Sequence, residues 1–145
     1  MTGPAAGVTP PNSRERMVLR ERAADAMAHA YAPYSGFRVG AALLGSDGSV
    51  TAGCNVENAS YPAGICAERA ALAAAVVRGV REFTAVVIYT EADSPTPPCG
   101  ICRQVLMEFA PRLDVLSVTR GGAEAQWSIS DLLPEAFTPT SLGRR

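Results

Sequence analysis

The stretch FTAVVIYTEADSPTPPCGICRQVLMEFAPRLDVLSV, residues 83–118, decides the fold of this chain. It opens with a continuous apolar run at 83–89, passes through a proline-rich loop into a helical segment at 99–109, and ends in an apolar run near 115–118. This order predicts a β-α-β unit with parallel strands and a right-handed crossover. The helix then begins just beyond the carboxyl end of the first strand, where α/β sheets bind ligands.

The segments on either side of this unit predict further helices. Asn12 and Glu15 have the spacing of a capping box, and apolar residues then recur at near-helical intervals up to residue 31. Residues 66–79 are rich in alanine and predict a second helix. A short final helix is expected over 130–137.

A β-hairpin is predicted between the first helix and the alanine-rich one. Its strands, 37–44 and 50–56, are joined around Asp47-Gly48, which is a strong signal for a tight turn. The first strand is apolar or small on both faces except at Arg38. We therefore expect it to lie within a sheet that is covered on both sides.

Length and composition indicate one folded domain. The chain has 145 residues, of which 48% are hydrophobic, and a net charge of -1, and we place the domain at 12–137. Glycine, proline and small polar residues dominate 1–11 and 138–145, so flexible tails are expected there. The 13 basic and 14 acidic residues form no basic run longer than the terminal Arg144-Arg145, which argues against nucleic-acid binding.

Several chemistries are excluded by residues that the chain lacks. It has no lysine, so neither a Schiff base nor a phosphate-binding P-loop can form. A serine triad would have to use its single histidine, His29, and a multi-histidine metal site cannot be built. The sequence shows no signal peptide and no membrane span, so we expect a cytoplasmic protein without membrane contact, whose cysteines stay reduced.

Three of the four cysteines predict a catalytic zinc site. Cys99 and Cys102 lie one turn apart at the start of a predicted helix, and Cys66 opens another. Three thiolates from two helix N-termini can fill three corners of a tetrahedron and leave the fourth for water. Zinc with three thiolates carries a net negative charge, which the helix N-termini and Arg69 can offset. Arg69 is thus expected to support the ligands, and Glu68 to carry protons.

Other interpretations of these residues stay open at this point. Cys99 and Cys102 alone are equally typical of a redox pair in a thiol oxidoreductase. Cys54 could complete a structural zinc site in a module without enzymatic activity, although we favour a small buried hydrophobic role for it. His29, near the end of the first helix, is interpreted as a partner of the helix dipole.

The motifs resemble a known enzyme family. Cys66-Ala67-Glu68 together with Pro98-Cys99 and Cys102 is similar to the signature of zinc nucleoside and nucleobase deaminases. A cysteine in place of the usual histidine resembles the branch of small cytidine deaminases and blasticidin-type deaminases. GCNVENASY at 53–61 and YSGFRVGA at 34–41 are similar to the cytidine deaminases, and LLP with Phe137 is a weaker match. The matches span roughly residues 30–110.

The resemblance implies a three-layer α/β/α sandwich around a mixed five-stranded sheet, and a homotetramer whose active sites lie at subunit interfaces. It also implies one zinc ion per subunit and hydrolytic deamination of cytidine and 2′-deoxycytidine in pyrimidine salvage, with Glu68 as base and then acid. A blasticidin-type substrate is the nearest alternative, and the stretch Asn55-Val56-Glu57 argues against it.

The resemblance further assigns the substrate-binding residues. Asn55 and Glu57 alternate along an extended segment, so both side chains point the same way, and the family places them on the ribose. Phe37 is a core residue by its pattern alone, and the resemblance makes it the wall that stacks on the base. The remaining candidates for the pocket are Val56, Tyr61 and Ala67. Gln104, after Arg103, is expected to be structural.

Overall fold

A mixed five-stranded sheet forms the centre of the computed structural model, which describes residues 9–144. The strands lie in the order β2-β1-β3-β4-β5, and only the β3–β4 pair is parallel. Their bounds are β1 Val39–Gly45, β2 Val50–Cys54, β3 Phe83–Thr90, β4 Asp114–Thr119 and β5 Glu124–Ser128.

Helices cover both faces of this sheet. The α-helices are α1 Ser13–Met27, α2 Ala67–Val77, α3 Gly100–Phe109 and α4 Ile129–Leu132, with 3-10 turns at Tyr61–Ala63 and Pro139–Leu142. Helix α1 packs on β1 and β3, whereas α2 packs on β2 and β1 and contacts α3. The α/β/α sandwich implied by the resemblance is therefore confirmed.

The side chains of each strand point alternately to the two faces of the sheet, and this divides the core into two halves. In β1, Ala41 and Leu43 join the cluster under α2 and α3, and Ala42 and Leu44 join the cluster under α1. Successive side chains of a strand point to opposite faces, so a strand that is apolar at every position must be covered twice. The expectation that β1 lies inside the sheet is thus confirmed.

The β-α-β unit over residues 83–118 is confirmed as well. Strands β3 and β4 pair in parallel, with Val86 opposite Val115. Cys99 is the N-cap of α3, so this helix begins after the loop that follows the carboxyl end of β3.

The capping box predicted at the start of α1 is also present, because Asn12 accepts from the Glu15 N–H and its own N–H donates to the Glu15 carboxylate.

Two predicted helices are shorter in the structure. Helix α1 ends at Met27 and not at residue 31, because the backbone of Tyr31 pairs instead with Asn55 and Glu57. The final helix spans only Ile129–Leu132, capped by Ser128. The cause is Pro134, which disfavours helical backbone at the residue before it and lacks an N–H to continue the helix.

The segments predicted as tails are only partly described. Residues 1–8 and 145 lie outside the described residues, whereas Pro11 is buried. Residues 139–142 form a 3-10 helix that ends at Gly143, whose φ of 73° is left-handed.

His29 is exposed and lies beyond the end of α1. Among residues 9–144, no helix combines the length and apolar character that crossing a bilayer requires.

Gly53 allows α2 to lie directly on the backbone of β2. A Cβ atom at this position would stand 2.7 Å from the Ala67 carbonyl oxygen and would overlap the Ala71 amide nitrogen. Both obstacles are backbone atoms, so a side chain could be accommodated only by moving the helix. Helix α2 carries Cys66 at its N-cap, so this close contact also sets the position of that cysteine.

We expect Gly53→Ala to destabilise the fold by about 2 kcal/mol or more, the usual range for overpacking a tight contact. Urea unfolding monitored by circular dichroism measures the change. Gly121→Ala is the matched control, because its Cβ would meet only the Thr119 hydroxyl, at 3.8 Å. Equal stability of the two variants would show that α2 does not depend on this contact.

Candidate active site

Three cysteine sulfurs converge at the N-termini of α2 and α3. Cys66 and Cys99 are the N-caps of these helices, and Cys102 lies in the first turn of α3. Their Sγ atoms all lie within 4.8 Å of one another, and the Cys66 and Cys99 sulfurs are 3.8 Å apart. Tetrahedral zinc with bonds of about 2.3 Å separates two thiolates by about 3.8 Å. The cluster therefore fits zinc.

Cys54 is not a member of this cluster. The group of possible metal ligands within residues 9–144 contains only the three other cysteines. Cys54 ends β2 and is half-buried, rather than the fully buried side chain that we expected. A structural site with four cysteine ligands is thus not formed, and the three sulfurs leave one corner of the tetrahedron for a non-protein ligand.

The surroundings of the cluster favour the thiolate form of Cys66. Neither N-cap cysteine uses its side chain to cap its helix, and Arg69 Nη2 lies 3.5 Å from Cys66 Sγ. Hydrogen bonding from Cys102, together with that from Arg69, lowers the pKa of the Cys66 thiol to about 5. Shared hydrogen bonding with Cys66 and burial raise the pKa of Cys102, whereas metal binding requires a deprotonated thiol at this position. Arg69 lies where it was predicted.

Glu68 is a buried carboxyl beside the cluster. Only 4% of its surface is exposed, although it also lines the adjacent cavity. Burial raises the pKa of Glu68, and the charge of the Cys66 thiolate raises it further. General acid–base catalysis is most effective when the pKa of the group lies close to the operating pH, and a raised pKa brings a carboxyl group closer to that condition. This is the property that an acid and base catalyst requires.

A cavity of about 290 Å³ opens next to these groups. Its volume lies at the lower end of the range for small-molecule sites. The structure brings together in its wall most of the residues predicted for the site, together with further residues of two loops and of strands β1 and β3: Ser35, Phe37, Val39, Asn55, Glu57, Cys66, Ala67, Glu68, Ile88, Thr96, Pro97 and Cys99.

Phe37 lines this cavity and is 42% exposed, so the core assignment from its pattern was wrong. The reason is that β1 begins only at Val39, which leaves Phe37 in the irregular segment between the turn at 33–35 and the strand.

Val56 and Tyr61 lie outside the wall of this cavity. Val56 is 44% exposed, and its backbone pairs with Ile65. Tyr61 is 75% exposed and packs edge-on against Tyr34, with ring centroids 5.8 Å apart. These tyrosines line a neighbouring cavity that shares Ser35 and Glu57 with the first one. The structure therefore places Tyr61 beside Glu57 in the neighbouring cavity, and Val56 lines neither of the two cavities.

Hydrogen bonds hold Asn55 in the wall. Its Oδ1 accepts from the Val39 N–H at 2.8 Å, and its Nδ2 donates to the Phe37 carbonyl at 2.7 Å. The side chain thereby joins the start of β1 to the segment after β2. Glu57 is also anchored, through Tyr34 and Ser35, and the Ser35 hydroxyl in particular lowers the pKa of Glu57.

Arginines fix both ends of the loop between β3 and α3. At its start, Glu91 forms ion pairs with Arg38 and Arg120. At its end, Arg103 Nε donates to the Pro98 carbonyl, and its Nη1 donates to the Leu132 carbonyl. Gln104 donates to the Phe137 carbonyl, so the structural role expected for it is confirmed.

Some residues of the cavity wall were not singled out from the sequence. Thr96 and Pro97 belong to a loop, whose residues carry no periodic signal. Ser35 stood inside a quoted motif without an assigned role, and a serine directly before a glycine was the available indication of a turn.

Comparison with known proteins identifies the family. The family model of the cytidine and deoxycytidylate deaminase zinc-binding region matches residues 13–117. A cytidine deaminase from Halalkalibacterium halodurans is 46% identical over 125 residues, which cover 86% of this chain and 95% of that protein. The crystal structure of cytidine deaminase from Burkholderia pseudomallei matches with a TM-score of 0.80 at 48% identity, covering 83% of this chain and 98% of that one.

The crystal structure of cytidine deaminase from Mycobacterium tuberculosis gives a TM-score of 0.73 at 41% identity, over 84% of this chain and 96% of that one. The matched residues include the three cysteines and Glu68, which lie between residues 13 and 117. The chain therefore belongs to the cytidine deaminase family.

Proposed function

We propose that this protein catalyses the hydrolytic deamination of cytidine and 2′-deoxycytidine, giving uridine or 2′-deoxyuridine and ammonia, and that it acts in pyrimidine salvage. The observation that carries the proposal is the position of Glu68. This buried carboxyl lies beside a cluster of three cysteines that fits zinc, in the wall of a cavity large enough for a small molecule. A redox pair would need neither the third cysteine nor the carboxyl group.

The residues of the site divide the chemistry between them. Cys66, Cys99 and Cys102 would hold the zinc ion, which when bound lowers the pKa of water and makes it nucleophilic at neutral pH. Glu68 takes a proton from the water that attacks C4 of the cytosine ring and delivers it to N3. It then moves the second proton of that water to the departing amino group, so that ammonia leaves and a carbonyl remains at C4.

Four further residues shape the nucleoside site. Phe37 presents an exposed ring to the cavity, which supports stacking on the flat base. Asn55 and Glu57 line the same wall, and the lowered pKa of Glu57 keeps it an ionised acceptor for a sugar hydroxyl. Ala67 is a small residue next to Cys66 and Glu68, and leaves room for the base.

The removal of zinc is expected to abolish cytidine turnover, followed as loss of cytidine absorbance, and added zinc should restore it. Cys102→Ser should lose the metal, since its sulfur is fully buried among the ligands. Cys54→Ser is the matched control and should keep one zinc ion per subunit by elemental analysis. Full activity in the presence of a strong chelator would contradict the proposal.

Glu68→Gln should lower kcat by about a hundredfold to ten-thousandfold, because the amide can neither accept nor return a proton. Steady-state kinetics on cytidine and the zinc content of the same sample measure the effect. Glu108→Gln, on the exposed side of α3, changes the same group away from the cavity and should leave kcat unaltered. Near-normal turnover by Glu68→Gln with zinc bound would assign the proton transfers elsewhere.

We also propose a cytoplasmic homotetramer with active sites at the subunit interfaces. Unpaired cysteine thiols stay reduced in the cytoplasm, which suits a cluster of three cysteine ligands. Exposed apolar side chains, Tyr61 beside the cavity and Val77 on α2 at 87% exposure, support burial against other subunits. Sedimentation velocity should give a mass of about four times the 15.1 kDa of one chain. A monomer at micromolar concentration would refute the assembly and leave the proposed chemistry standing.

A further inference from the structure

Ser35 connects two parts of the cavity wall through one hydroxyl group. Its Oγ lies 2.5 Å from Glu57 Oε2 and 3.0 Å from the backbone nitrogen of Phe37. An ionised carboxylate can only accept a hydrogen bond, and a backbone N–H can only donate one. The hydroxyl must therefore donate its single proton to Glu57 and accept from Phe37.

The turn around Ser35 is held by its own backbone bonds. Gly36 follows with a left-handed φ of 68°, which glycine adopts without strain, and its N–H donates to the Ala32 carbonyl at 2.9 Å. This turn brings Ser35 and Phe37 to the same side of the chain, where both line the cavity. The carboxylate of Glu57 is thus linked through the Ser35 hydroxyl to the backbone of Phe37.

The acceptor sites of Glu57 are mostly occupied. Its Oε1 accepts the backbone N–H groups of Tyr34 at 2.9 Å and Ser35 at 3.1 Å, and its Oε2 accepts the Ser35 hydroxyl. A carboxylate offers about four acceptor positions. One therefore remains, on Oε2, and its direction is set by the hydrogen bond that Ser35 makes to the same oxygen.

We propose that Ser35 is a positioning residue that aims the remaining acceptor site of Glu57 at the 3′-hydroxyl of the nucleoside sugar, a group that cytidine and 2′-deoxycytidine share. It thereby sets the discrimination against nucleosides that lack this hydroxyl. The inference rests on the proposed function, and it adds that sugar selectivity depends on a side chain that need not touch the substrate. Loss of the Ser35 hydroxyl frees the carboxylate to rotate and uncouples it from Phe37.

The test compares cytidine with 3′-deoxycytidine for the wild type, Ser35→Ala and Ser35→Thr. Ser35→Ala should raise KM for cytidine about tenfold with kcat nearly unchanged, the size expected for a lost bond to a charged group. It should alter kcat/KM for 3′-deoxycytidine less than about twofold, because that substrate makes no bond to Glu57. The preference for cytidine then falls about tenfold, and Ser35→Thr, which keeps the hydroxyl, restores it.

Ser49→Ala is the matched control. The Ser49 hydroxyl donates to Asp47 Oδ1 at 2.6 Å in the turn between β1 and β2, which is the same interaction at the opposite end of β1 from Phe37. This variant should keep the preference of the wild type. Ser35→Cys, with a similar volume and a weak donor, should reproduce the Ser35→Ala result if the alanine variant does not fold.

The outcomes separate the inference from the proposed function. A wild type that does not deaminate cytidine overturns the proposed function before any variant is compared. An active wild type whose preference survives Ser35→Ala, or a variant that loses kcat/KM equally on both nucleosides, overturns the role of Ser35 alone. In a Glu57→Ala background, removal of the Ser35 hydroxyl should have no further effect on the preference, and a full additional loss would also overturn it.

Discussion

Three sulfur atoms within 4.8 Å of one another, each a thiolate when bound to metal, impose the main electrostatic constraint on this fold. Zinc neutralises only two of the three negative charges. The remaining charge is stabilised by the N-termini of α2 and α3, each equivalent to about half a positive charge, and by Arg69, 3.5 Å from Cys66. Both helices must therefore point their N-termini at one place. The parallel β3–β4 pair brings α3 there, and packing on β2 brings α2.

The packing of α2 is made close by small residues. Its buried face consists largely of alanines, among them Ala67, Ala71 and Ala75, and it rests on Gly53 of β2. Metal ligands must hold their distances within about 0.2 Å, so a helix displaced by one methyl group would move Cys66 out of range of Cys99. Because alanine side chains are short, the backbone of the helix packs directly on the backbone of the strand, and the helix has little freedom to slide. The alanine-rich composition that predicted this helix from the sequence thus also determines the position of Cys66.

Local signals account for what the sequence predicted. The Asn12 capping box, the Asp47-Gly48 turn and the continuous apolar strands depend on neighbouring residues, and all three are present in the structure. Strand β5 was expected only through the family resemblance. It is an edge strand, whose residues Glu124–Ser128 are mostly half-exposed and carry no clear alternation of apolar side chains. Pairing with β4 determines this strand more than its own sequence does.

The same contrast between local and long-range interactions applies to the candidate site. Spacing along helices predicted the cysteines and Glu68, because residues within one turn of a helix N-terminus have fixed relative positions. The cavity wall depends instead on three loops that meet only in the folded chain. Phe37 had the pattern of a strand residue, and it lies in the cavity because β1 begins only after it, where the Asn55 side chain bonds to the Phe37 carbonyl and to the Val39 N–H. No spacing rule relates residues 18 apart across a hairpin to such a contact.

The two halves of the site therefore differ in how firmly they are held. Cys102 and Glu68 are almost fully buried, so the groups that carry the chemistry are stabilised by the core itself. Phe37, Ser35 and Glu57 are held by hydrogen bonds near the surface, which open at lower free energy than core contacts. Changes in the turn at Ser35 can alter which sugar is accepted while the zinc ligands and the proton carrier stay in place. The buried part of the cavity thus carries the catalytic groups, and its more exposed part carries the groups that select the sugar. Sugar selectivity can therefore vary without loss of catalysis.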